Sequence, residues 1–101
     1  MSQLSDYVDI NGEQIKMGSI IIYGVYGDTS SLSMAVVTGF RPKSKRILIE
    51  YENLWTINKN IEHSYISYDK SRIVINHNCT NQVLCDLSSR YINESPKIYG
   101  V

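Results

Sequence analysis

The chain reads as one small, mostly-β domain, and three observations carry that expectation. Three apolar, β-branched runs, Ile20–Tyr23, Met34–Thr38 and Ile47–Tyr51, alternate with polar or glycine-bearing segments, as in a strand meander. Fourteen isoleucines and seven valines stand against a single alanine, Ala35, a balance that suits a pleated surface better than a helix. An AT-rich gene produces the same bias, so the pattern outweighs the composition. Finally, 101 residues suffice for one core with little left for a second.

Taken in order, Tyr7 to Lys16 carries Asn11-Gly12 between alternating apolar residues. That is a hairpin signal, and a type I′ turn is expected because both central positions tolerate positive φ. Gly18 separates this hairpin from the next strand. Ile20–Tyr23 is apolar on both sides and is expected to be central and well buried. Gly24–Ser31 reads as a polar loop. Met34, Val36 and Thr38 then alternate with Ala35, Val37 and Gly39, whose small size points to close approach of another strand or a sharp bend.

Arg41 to Lys45 is expected at a hairpin tip, with Pro42 setting a turn. In the following strand, Ile47, Ile49 and Tyr51 face away from Arg46, Leu48 and Glu50, the wetter side. Asn53 to Asn60 reads as a loop with Leu54 and Trp55 tucked beneath it. Tyr65–Tyr68 and Arg72–Asn76 read as two further strands around an Asp69-Lys70-Ser71 turn. Val83, Leu84, Leu87 and Tyr91 recur at helical spacing, with Thr80 as N-cap. Val83, Cys85 and Leu87 also alternate, so a strand competes there. A single domain over 1–101 follows, with residues 1–6 and 92–101 expected to be loose.

The succession Lys16-Met17-Gly18-Ser19-Ile20-Ile21-Ile22-Tyr23, Ala35-Val36-Val37-Thr38-Gly39-Phe40 and Lys45-Arg46-Ile47-Leu48-Ile49-Glu50-Tyr51 resembles the small SH3-like barrels, including KOW and Tudor-type modules. The resemblance covers about Ile15 to Tyr51, with a final strand at Arg72–Asn76. It implies a small barrel of five to six strands, to which the helical spacing adds a short C-terminal helix, and a binding role through its loops. It carries over no functional residue. In composition the chain also resembles small accessory proteins of large tailed phages, which implies a host protein as partner.

Ten basic and ten acidic residues cancel. This weighs against a dedicated binder of phosphate backbones, which usually carries a positive excess. The opening MSQLSDYVDI lacks the basic and apolar regions of a signal peptide, and no apolar run reaches the length of a membrane span. A cytoplasmic chain without membrane attachment is expected, with Cys79 and Cys85 as free thiols. The triplets at Asn78 and Asn93 then read as chance.

Candidate chemistry is sparse. Arg41, Lys43, Lys45 and Arg46 put four cations within six residues beside Phe40. Such a tip could clamp a phosphate backbone and stack on a base, meet an acidic protein surface, or simply be a solvated turn. Tyr23, Tyr26, Tyr51 and Trp55 could converge as an aromatic cage. Tyr26, Tyr65, Tyr68 and Tyr99 lie in polar surroundings and could face a partner. The partner-binding set is therefore Phe40, Arg41, Lys43, Lys45, Arg46, Tyr26 and Trp55.

His63, His77, Cys79 and Cys85 do not match zinc spacing well. Neither His77 with Cys79 nor Glu50 with Glu52 comes with the surroundings that catalysis needs, and a solvated face is expected for the carboxylates. No enzyme, metal or cofactor is expected. The leading expectation is a non-enzymatic protein-interaction module. A nucleic-acid-binding barrel using the Phe40–Arg46 tip is the alternative, and exposed edge strands are compatible with a homodimer.

Overall fold

The computed structural model describes residues 7–25, 28–52, 60–95 and 97–99. Strands β1 (Ile20–Val25), β2 (Asp28–Arg41), β3 (Arg46–Glu52) and β4 (Ile61–Ser67) form an antiparallel meander. The short β5 (Ile73–Ile75) returns to pair with β1, giving the order β4-β3-β2-β1-β5. The expected mostly-β architecture is thus present as one open sheet of five strands. Among the described residues no ladder joins β4 to β5.

The β-branched runs form the strands because their alternation loads one face of the sheet. Ile21, Ala35, Val37, Ile47, Ile49 and Ile73 are buried there, joined by Tyr7, Ile15 and Met17 from the N-terminal hairpin. On the other face Val36 is fully buried against Leu84 and Leu87 of helix α1 (Gln82–Tyr91). Each buried Ile, Val, Leu or Met among them contributes about 1.5–3 kcal/mol relative to exposure. The helix–strand ambiguity at 82–91 resolves to helix. Its cap is Asn81, not Thr80: the Asn81 side chain accepts the Leu84 amide at 3.2 Å.

Several local expectations change. The polar segment Gly24–Ser31 is mostly strand, since β1 runs to Val25 and β2 starts at Asp28. Ladder pairing with β1 carries β2 through polar residues that alternation alone would leave as loop. The N-terminal hairpin closes through a three-residue loop, Ile10–Gly12, with the Asp9 amide donating to Glu13 at 2.9 Å. Only Gly12 takes positive φ there (80°), so the turn is not type I′. The Asp9 carboxylate decides this by accepting the amides of Asn11 and Glu13, each at 2.9 Å. β5 lies within the expected Arg72–Asn76, but β4 runs over Ile61–Ser67 where Tyr65–Tyr68 was expected. The two do not pair; they lie on opposite edges of the sheet.

The small residues of β2 do mark a close approach. A register shift falls between Val37 and Gly39, and a Cβ at Gly39 would meet Tyr99 at 2.8 Å. The segment 97–99, expected to hang loosely, pairs there: the Phe40 amide donates to Lys97 and the Tyr99 amide to Phe40, both at 2.9 Å. No described helix is long and apolar enough to cross a membrane.

Candidate functional site

The β2–β3 connection builds the basic tip. Pro42–Ser44 forms one 3₁₀ turn, and Lys45 ends it in the left-handed region (φ 52°), its amide donating to Pro42. Arg41 then pairs directly with Arg46 across the strands. Like charges so placed cost stability. Among the described residues none of Arg41, Lys43, Lys45 or Arg46 forms an ion pair. Arg41, Lys43 and Lys45 are exposed, while Arg46 lies over the ring of Tyr65 on β4, 4.3 Å from its centroid.

Phe40 does not belong to this surface. It is 1 % exposed and packs on Tyr7 with ring centroids 5.1 Å apart. The cause is the register shift between Val37 and Gly39, which turns Phe40 onto the core face beside Val37. Tyr65, half exposed at 50 %, is the aromatic that accompanies the cations instead. Its side chain was expected near solvent. Its place beside Arg46 depends on the β3–β4 register, which pairs it with Leu48, and no local signal encodes that register. Tyr26 and Trp55 lie outside the described residues.

A second feature is a groove of about 680 Å³ at the opening between β4 and the β1–β5 side of the sheet. Tyr23, Tyr65, Ile66, Tyr68, Arg72 and Ile73 line it. Burial, then the nearby Tyr51, raises the Tyr23 pKa above the ordinary phenol value, despite a hydrogen bond with Ser33. Tyr68 is fixed in place: its hydroxyl donates to the Val8 carbonyl at 2.9 Å and accepts the Val8 amide at 3.0 Å. Its ring meets Tyr7 edge-on, centroids 5.0 Å apart. At the rim Arg72 pairs with Asp69 at 3.3 Å. Of the tyrosines weighed for a cage, Tyr23 lines this groove. Tyr51 donates its hydroxyl to Glu62 at 3.0 Å, which raises its pKa.

The groups weighed for chemistry are engaged elsewhere. Glu50, expected on a solvated face, is 6 % exposed, because α1 covers that side of β3 and Tyr91 donates its hydroxyl to it. His63 Nδ1 stands 3.5 Å from the same carboxylate. His77 Nε2 meets Glu13 at 2.7 Å. Cys85 directs its thiol to the Cys79 carbonyl at 3.6 Å, and desolvation, then Cys79, holds that thiol above its ordinary pKa. Among the described residues no three His, Cys, Asp or Glu side chains gather as a metal site. Searches among family models, curated proteins and solved structures return no match to this chain.

Proposed function

We propose that this chain is a non-enzymatic protein-interaction module, and the aromatic groove between β4 and the β1–β5 side carries that reading. Its lining combines rigid tyrosine rings with Ile66 and Ile73, while Lys70 and Arg72 stand at the rim with Asp69. A rigid apolar floor with a polar rim suits a side chain presented by another protein. The meander with its last strand returned beside the first is compatible with the small β modules that the sequence resembles. On the phage-like composition, the partner is a host or defence protein in the cytoplasm.

A pull-down of tagged protein from a bacterial lysate, with and without nuclease, tests this. One protein recovered in both arms, and lost with Ile66→Asp, supports the groove. A blank in both arms counts against it.

The second reading, nucleic-acid binding, is favoured by the tip's four cations, none of which forms an ion pair among the described residues, and by Tyr65 beside Arg46. It predicts recovery only without nuclease, affinity that falls steeply with salt, and loss of binding in a Lys43→Glu/Lys45→Glu double variant.

A further inference from the structure

The two edges of the sheet are treated differently. β5 is covered by the N-terminal hairpin: the Ile10 amide donates to the Ile73 carbonyl at 2.8 Å, and the Ile75 amide donates to Asp9 at 3.0 Å. Among the described residues nothing pairs with the outer edge of β4. The Tyr68 amide donates to Lys45, which fixes the phase of the β3–β4 ladder. In that phase the amides and carbonyls of Ile61, His63, Tyr65 and Ser67 point outward. The strand carries no Pro, Gly or Lys to blunt the edge, its one carboxylate, Glu62, accepts the Tyr51 hydroxyl of β3, and it exposes Ile61 and Tyr65 at 37 % and 50 %.

Charge runs in one direction along this edge. β3 begins at Arg46, opposite Ser67, and ends at Glu52, opposite Ile61. Neither Arg46 nor Glu52 has an ion-pair partner among the described residues. One end of the edge is thus basic and the other acidic, a surface complementary to itself when turned end for end.

We propose that a second copy of this chain docks here, β4 against β4 in antiparallel register centred on Ser64. That register matches every outward amide and carbonyl with one on the other copy, for about eight hydrogen bonds. It sets Ile61 opposite Ser67 of the second copy, and His63 opposite Tyr65. On the same face, Arg46 then lies three strands from Glu52 of the second copy, about 14 Å between Cα atoms. These two long side chains reach toward each other across Ser67 and Ile61 of the second copy, twice in each dimer. The dimer joins two sheets into one and closes the remaining edge of both.

Sedimentation equilibrium of the purified chain should show twice the chain mass at high concentration. Arg46→Glu and Glu52→Arg should each weaken the dimer roughly tenfold, and the double variant should recover most of the loss. On oxidation, Ser64→Cys should link two chains, because its Cα atoms are about 4.5 Å apart in this register. Ser67→Cys, whose copies lie at opposite ends, should not. A chain monomeric at every concentration overturns the proposal, as do equal cross-linking at both positions and no recovery in the charge swap. A monomer that still captures a partner overturns the dimer and leaves the interaction reading standing. Because a docked β4 lies along the opening that holds the groove, capture is read at concentrations where the chain is monomeric. A chain that dimerises when concentrated yet captures nothing when dilute overturns the interaction reading and leaves the dimer standing.

Discussion

Asp9 reaches 66 residues along the chain to Ile75, whose amide donates to its Oδ2 at 3.0 Å. With Oδ1 accepting from Asn11 and Glu13, one fully buried carboxylate both shapes the first hairpin and ties it to β5. Burial pushes its pKa up, but the Ile75, Glu13 and Asn11 amides and the nearby His77 together carry it below the ordinary carboxylate value.

Asp9→Ala should therefore cost about 2–3 kcal/mol, since it leaves the Ile75 amide without its acceptor. A depressed carboxylate stabilises the fold fully above its unfolded pKa, about 4, and loses that contribution as pH falls through its lower folded pKa. Urea titrations at neutral pH and at successively lower acid pH should show the gap between wild type and Asp9→Ala shrinking in acid. A gap independent of pH would refute the assignment.

Tyr91 and Glu50 make the opposite kind of pair. The hydrogen bond to Glu50, then burial, pushes the Tyr91 pKa up to about 12. A raised phenol stabilises the fold fully below its unfolded pKa of about 10 and loses this as pH rises through its folded value. Tyr23 and Tyr51 are also raised, so the phenolate absorbance should show several tyrosines ionising late in the folded protein, and Tyr91→Phe should shrink that late step by one tyrosine. The same variant should cost about 2 kcal/mol, because Glu50 stays buried without its hydroxyl donor.

Gly18 should be the least replaceable of the described glycines. Its φ is 81°, and a Cβ there would meet the backbone N and Cα of Ile92 at 2.8 Å, both backbone atoms. Its carbonyl also accepts the Ser88 hydroxyl at 2.6 Å, so the end of α1 docks on this residue. Thermal melts should place Gly18→Ala about 2–4 kcal/mol below wild type. Gly12→Ala, at φ 80° with open space around it, should cost only about 1 kcal/mol.

Asn81→Ala should cost about 1 kcal/mol, while Thr80→Ala should stay within about 0.5. Equal losses from both would mean that the cap was wrongly assigned.

That last pair shows where the sequence stops being readable. Thr80 and Asn81 are both good caps, and only the position at which α1 meets Val36 chooses between them. The apolar centres of β1, β2 and β3 are legible because β-branched alternation is a local signal, as is the buried face of the helix. The first residues of β2 and of β4 are not, because only pairing with a neighbouring strand extends them. Phe40 was misplaced because one extra residue in β2 reverses the alternation, and the bulge depends on the tail crossing beside Gly39. Glu50 looked solvated for the same reason: its cover, α1, lies more than thirty residues away in the chain. At the candidate site the cations were visible in one stretch of six residues. The aromatic beside them came from another strand, through a register that pairs Tyr65 with Leu48.

The hairpin that Asp9 fastens has a consequence for the order in which the chain assembles. Its partners are Ile73 and Ile75 on β5 and the Tyr68 hydroxyl, all made long after it leaves the ribosome. Tyr7 and Ile15, fully part of the finished core, must wait in water until then. Phe40, between the two halves, gains its last backbone partners only when Lys97 and Tyr99 arrive. The N-terminal hairpin and the segment 97–99 are therefore settled late, and a growing chain halted before β5 exposes the very side chains most prone to stick to a neighbour.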